Sequence, residues 1–230
     1  EIRGYAGNDS LIGYGGNDIL DGGTGNDTMD GGDGDDNFVV DSTSDNVIGG
    51  SGEDSVEASV DFTLPDDVEN LWIEGYANTN GIGNALDNYI HGDSTQNEIY
   101  GLDGNDDLNG DGDNDLIEAG YGNDELNGGY GSDTLRGDAG NDLIYAYTVE
   151  FPTFSTDPDS MEGGDGNDTM VGAQGADSIW GNADTDSIDG GSGNDFIQGG
   201  TGADTLDGSV GNDTIYGATA ADENGSSDGD

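Results

Sequence analysis

An aspartate returns every nine residues over most of this chain. Asp9, Asp18, Asp27, Asp36, Asp45 and Asp54 form a first series, Asp106, Asp115, Asp124, Asp133 and Asp142 a second, and Asp159, Asp168, Asp177, Asp186, Asp195, Asp204 and Asp213 a third. Two residues beyond each stands one apolar side chain, and a Gly-rich run usually precedes it, as in Gly101-Leu-Asp-Gly-Asn-Asp-Asp-Leu-Asn109. Carboxylates beside turn carbonyls are hard oxygen ligands, the set that suits calcium. With no Cys and a single His, a zinc or other soft-metal site has too few ligands.

Glycine and asparagine tolerate positive φ, so the first six residues of a unit can turn tightly. The last three, polar-aliphatic-polar, alternate as a short strand with one side chain inward. Two units return the chain to its starting side, which predicts an all-β, right-handed parallel β-roll, a β-helix solenoid of eighteen-residue coils with calcium in the turns. Aspartates two units apart then stack about 4.8 Å apart. At that spacing two bare carboxylates repel by roughly 3 kcal/mol at an effective dielectric near 20. Only Arg3 and Arg136 could serve as internal counterions, so the positive charge must come from outside. Counting same-side pairs, from Asp9/Asp27 to Asp195/Asp213, gives about fourteen calcium sites, or about +28 against a formal charge of −50.

Units such as Gly22-Gly-Thr-Gly-Asn-Asp-Thr-Met-Asp30 and Gly190-Gly-Ser-Gly-Asn-Asp-Phe-Ile-Gln198 make the chain similar to the repeat-in-toxin (RTX) family of secreted bacterial proteins, with its haemolysin-type calcium-binding nonapeptide. The resemblance implies export through a one-step (type I) channel, an extracellular or cell-surface location, and folding on calcium after export.

Composition agrees with a fold that needs a ligand. Forty-six glycines, a pI near 4.1 and a mean hydropathy of −0.66 read as disordered when the period is ignored. Metal binding is expected to supply a large part of the folding free energy. So acidic a surface argues against nucleic acid and anionic membranes, and no long apolar run is present for membrane insertion. Glu1-Ile-Arg3 resembles the end of a truncated unit, so a longer parent protein is expected.

In chain order, residues 1–57 read as a calcium-binding roll and 58–100 as a spacer β-helix without an Asp ladder. Within it Asn80, Asn88 and Asn97 are expected in the aspartate place, where a neutral amide can ladder without a cation. Residues 101–216 read as a second calcium-binding roll, with an inserted loop at 146–158. Ala146 to Glu162 is read as one unit carrying eight extra turn residues, so that Asp159 still pairs with Asp133 and Asp177; a domain break is the alternative. Residues 217–230 read as a polar tail.

Other signals are weaker. Asp111-x-Asp113-x-Asp115 opens like an EF-hand loop, but Leu116 stands where that loop needs Gly. The Asn-Asp-Ser/Thr tripeptides match a glycosylation pattern only because the repeat generates them. His91 lacks an arguable catalytic partner, so no enzyme is expected. The aromatic stretch Tyr147 to Phe154 is a contact candidate. A structural or adhesive role follows best, with calcium as the partner and other copies or cell-surface material as further ones. A folding and secretion module behind a hydrolase or toxin is the alternative, and an ice-binding roll a third; the third places Ala6, Gly15, Thr24 and Asp33 vary too much for the last.

Overall fold

Each unit spends its glycines on a turn and its last three residues on a strand. The computed structural model describes residues 1–75, 77–147 and 156–218, and all its regular elements are β-strands. Among the described residues every pairing is parallel, and the strands lie mainly on two faces of a solenoid of about eleven turns, with Ser192–Gly193 and Val210–Gly211 pairing apart in a turn. One face is a twelve-stranded sheet running from Ile2–Arg3 through Ile19–Asp21 to Thr205–Asp207. The other holds a three-stranded sheet (Ser10–Ile12, Thr28–Asp33, Asn46–Ser51) and a nine-stranded sheet from Phe62–Thr63 to Thr214–Ala218. The solenoid is the parallel β-roll that the period predicts.

Register fixes the period in space. Leu108, Leu126 and Ile144 lie opposite one another on successive coils, steps of eighteen. Three departures occur. Ser55 lies opposite Asn70, a step of fifteen, and Asn70 opposite Tyr89, a step of nineteen. Leu135 meets Met161 and Ile144 meets Met170, steps of twenty-six. Eight residues therefore enter one turn while the strands on both sides keep their neighbours, and the two halves stack without a break. Residues 148–155 of that turn, with most of the expected aromatic contact loop, lie outside the described residues, as does the polar tail beyond Ala218.

The core takes one inward apolar side chain from most strands and two from a few, such as Phe38 and Val40 on Asn37–Val40 and Val56 and Ala58 on Ser55–Ala58. Leu20, Phe38, Ile90, Ile99, Leu126 and Met161 are among its fully buried members. At Gly81 the inward place is empty, and Leu71, Ile73 and Ile90 lean into it: a Cβ there would lie 3.0–3.3 Å from their methyl groups. Gly81 pairs with Ile99, so residue 79 occupies the aspartate place of that coil. Thr79, buried at 3% exposure, stands there; Asn80, expected in that place from the sequence, is one residue later on the strand side and uses its Oδ1 to accept from the Glu98 N–H at 2.9 Å. A half-coil one residue longer than the period causes the shift.

Candidate metal centres

Two columns of acidic side chains run along the turns, one before each face's strands. The first holds Asp18, Asp36 and Asp54, then Asp106, Asp124, Asp142, Asp168, Asp186 and Asp204. The second holds Asp9, Asp27 and Asp45, then Asp115, Asp133, Asp159, Asp177, Asp195 and Asp213. Within each column the backbone N–H of one aspartate donates to the Oδ1 of the aspartate one coil later. All fourteen same-column pairs make this bond, at 2.7–3.1 Å. The rungs Asp133 to Asp159 and Asp142 to Asp168 span the eight-residue insertion.

Oδ1 is therefore used by the fold, and the second oxygen is left over. Oδ2 is buried without a hydrogen-bond partner in Asp9, Asp27, Asp36, Asp54, Asp106, Asp115, Asp124, Asp133, Asp142, Asp168, Asp177, Asp186 and Asp195. In every unit of this set but that of Asp124 it faces the unit's first-place glycine: a Cβ on Gly101 would run into Asp106 Oδ2 and lie 2.6 Å from the carbonyl oxygen of Ala119. Space rather than φ favours that glycine, and the unit of Asp124 accommodates the single methyl of Ala119 in the same place. The fourth-place glycine, Gly104 at φ 132°, answers both needs, because a Cβ would also strike the Leu86 carbonyl. Asp113 and Asp184 take left-handed φ of 70° and 73° in their turns, as Asp can.

Burial without a partner makes the carboxylates weak acids. Desolvation pushes Asp54, Asp124 and Asp133 up to about 6, Asp106, Asp142, Asp177 and Asp186 to about 7, and Asp115 and Asp159 to about 8. Neighbouring carboxylates add to the rise, and the N–H bond from the preceding coil opposes it. A cation beside Oδ2 answers both the missing partner and the like charge. Among the described residues no three His, Cys, Asp or Glu side chains converge. The column oxygens would thus share an ion with turn carbonyls, an all-oxygen set that fits calcium.

Asp45 differs, since Ser42 N–H donates to its Oδ2 at 3.2 Å and the aspartate N–H returns to Ser42 O at 3.0 Å. This local turn supplies what the missing glycines do not. Between the two rolls the aspartates give way to other residues. Glu69, not foreseen as a column member, accepts from Asp54 N–H at 2.8 Å. Asn88 and Asn97 follow, both buried; their N–H groups donate to Asp106 and Asp115, both at 2.8 Å.

A second ladder runs beside the aspartates of the first column. In the fifth place, the Oδ1 of Asp87 accepts from Asn105 N–H, Asn105 from Asn123, Asn123 from Asn141, Asn141 from Asn167 and Asn167 from Thr185, at 2.7–3.0 Å. These bonds point the opposite way to the aspartate rungs, so the turns from Asp87 to Thr185 in this column are stitched in both directions by protein groups alone.

No curated protein matches the chain by sequence. The profile of the RTX calcium-binding nonapeptide repeat matches residues 1–29, 30–59, 82–117, 118–147, 162–197 and 189–223. Those repeats bind calcium, and the period, the paired columns and the buried second oxygens all occur together here; the chain belongs to the RTX calcium-binding nonapeptide repeat family.

Proposed function

We propose that this chain is a calcium-gated structural segment of a secreted or cell-surface bacterial protein, its aspartate-bearing coils unfolded at cytoplasmic calcium and folded outside. The observation that carries the reading is the column of buried Oδ2 atoms without partners, which makes the metal-free roll costly near neutral pH. In this reading calcium occupies both turn columns, at about fourteen aspartate pairs in residues 1–57 and 101–216. The stretch 58–100 joins them without metal, and the whole long array serves as a spacer or adhesive surface rather than as an enzyme.

Compaction tests it. From chelator to about ten millimolar calcium, the range of extracellular modules, the radius of gyration should fall from a value approaching roughly 50 Å, that of a wholly unfolded chain of this length, to roughly 20 Å, as expected for about eleven coils 4.8 Å apart. An equally compact chain in chelator would replace the gate with a constitutive solenoid.

A further inference from the structure

The outward side of the asparagine-bearing stretch carries a row of aromatic rings. Trp72 and Tyr89 stand on adjacent strands with ring centroids 5.4 Å apart, tilted by 45°, and Tyr89 lies parallel to His91 at 6.3 Å. Beside the first two opens a shallow recess of about 460 Å³, completed by Asn70, Ser55, Asp35 and Glu53. Its origin lies in the fifth place. Asp35 and Glu53 project from the rim on one side and Asp87 on the other, but the same place in the coil between them is Val68, which is fully buried. The rim is interrupted there, and the aromatic walls are uncovered.

Charge selects the occupant. Asp35 and Glu53 border the rings at the recess and Asp107 stands opposite Tyr89 on the next coil. None of the three belongs to the metal columns. The chain's own arginines are engaged elsewhere, Arg3 with Glu1 and Asp21, Arg136 with Glu118 and Glu162. A net charge of −50 repels anions and draws cations toward the surface. Ring faces flanked by carboxylates suit an ammonium or guanidinium on an aliphatic stem: the stem covers the ring while the head meets the ring quadrupole and the carboxylates.

We propose that this recess docks a lysine or arginine side chain from an extended basic segment of a partner protein. The proposal goes beyond the calcium reading and uses carboxylates that calcium would leave free.

The test is calorimetric titration of the full chain, in saturating calcium and about 150 mM salt, with a Gly/Ser peptide carrying lysine and arginine. Circular dichroism of each variant, recorded in the same buffer, separates a failure of calcium-driven folding from a failure of docking. Saturable binding should weaken at least tenfold in Trp72→Ala and Tyr89→Ala and severalfold in the isosteric, exposed Glu53→Gln. It should be unchanged in Trp180→Ala, on the opposite face. Should Trp72→Ala not fold, Glu53→Gln decides. Equal affinity for wild type and Glu53→Gln would reduce the effect to general electrostatic adhesion and overturn the proposal. Binding of a neutral oligosaccharide instead of the peptide would overturn it as well.

Discussion

Asn88 and Asp106 occupy the same turn column one coil apart, and they differ by one atom. Asn88 Nδ2 donates to the Glu69 carbonyl at 3.2 Å and to Asn84 Oδ1 at 3.1 Å, while its own Oδ1 accepts from Asn84 N–H at 2.7 Å. Asp106 accepts from Asn88 N–H through Oδ1, and its Oδ2 has nothing. The contrast extends to whole regions. In the spacer, Asn97 repeats the pattern through Thr79 O and Asp93 N–H, and Asn84 clamps the carbonyls of Pro65 and Val68, both at 2.6 Å. His91 Nδ1 and Asp93 Oδ2 are the buried exceptions there, against one such oxygen on nearly every coil of the flanking rolls. An amide rung closes by itself; a carboxylate rung is closed from outside. In the proposed reading, the residue at one column position decides which coils wait for calcium.

The pH dependence should show the largest difference. Burial raises the folded values of nine column aspartates to about 6–8 from 3.8. The metal-free fold therefore binds more protons than the unfolded chain, so its stability is fully present below about pH 4 and is lost as pH rises through about 8. In chelator, urea midpoints should drop steeply between pH 5 and pH 8; in saturating calcium that drop should vanish. Stability rising with pH in chelator would break the comparison.

Exchanging one rung comes next. Asp124 sits between Asp106 and Asp142, so Asp124→Asn touches two sites. Equilibrium dialysis should find one or two fewer calcium ions, while the metal-free state gains on the order of 2 kcal/mol at pH 7, because a buried charge has been removed. Unchanged stoichiometry would count against the pairing. The reciprocal change is smaller: Asn88→Ala should leave bound calcium unaltered and cost about 1–3 kcal/mol in thermal unfolding, from the carbonyl left without a donor. Lost calcium would place metal where the amide rung is drawn.

The aspartate columns were legible because a nine-residue phase needs no contact information, and the eight-residue insertion because Met161 resumes that phase. Thr79 was not. Around it the half-coil from Leu71 to Gly81 is one residue longer than the period, and the inward place holds a glycine, so no aliphatic marks the register. Glu69 was hidden for a related reason: its longer side chain reaches the rung from a turn without glycines. The fifth-place asparagines repeat openly in the sequence, yet only the stacked coils show that their bonds run against those of the aspartates. The recess at Trp72 depends on Val68 turning inward, a matter of packing rather than pattern.

Hydrogen exchange compared in chelator and in calcium tests the account most directly, because it reads both regions in one molecule. Calcium should raise amide protection by orders of magnitude in residues 1–57 and 101–216. Within residues 64–100 the amides held by Asn84, Asn88 and Asn97 should change far less. Uniform protection in chelator, or a gain spread evenly through the asparagine rungs, would contradict the claim that the buried carboxylate oxygens are what calcium completes.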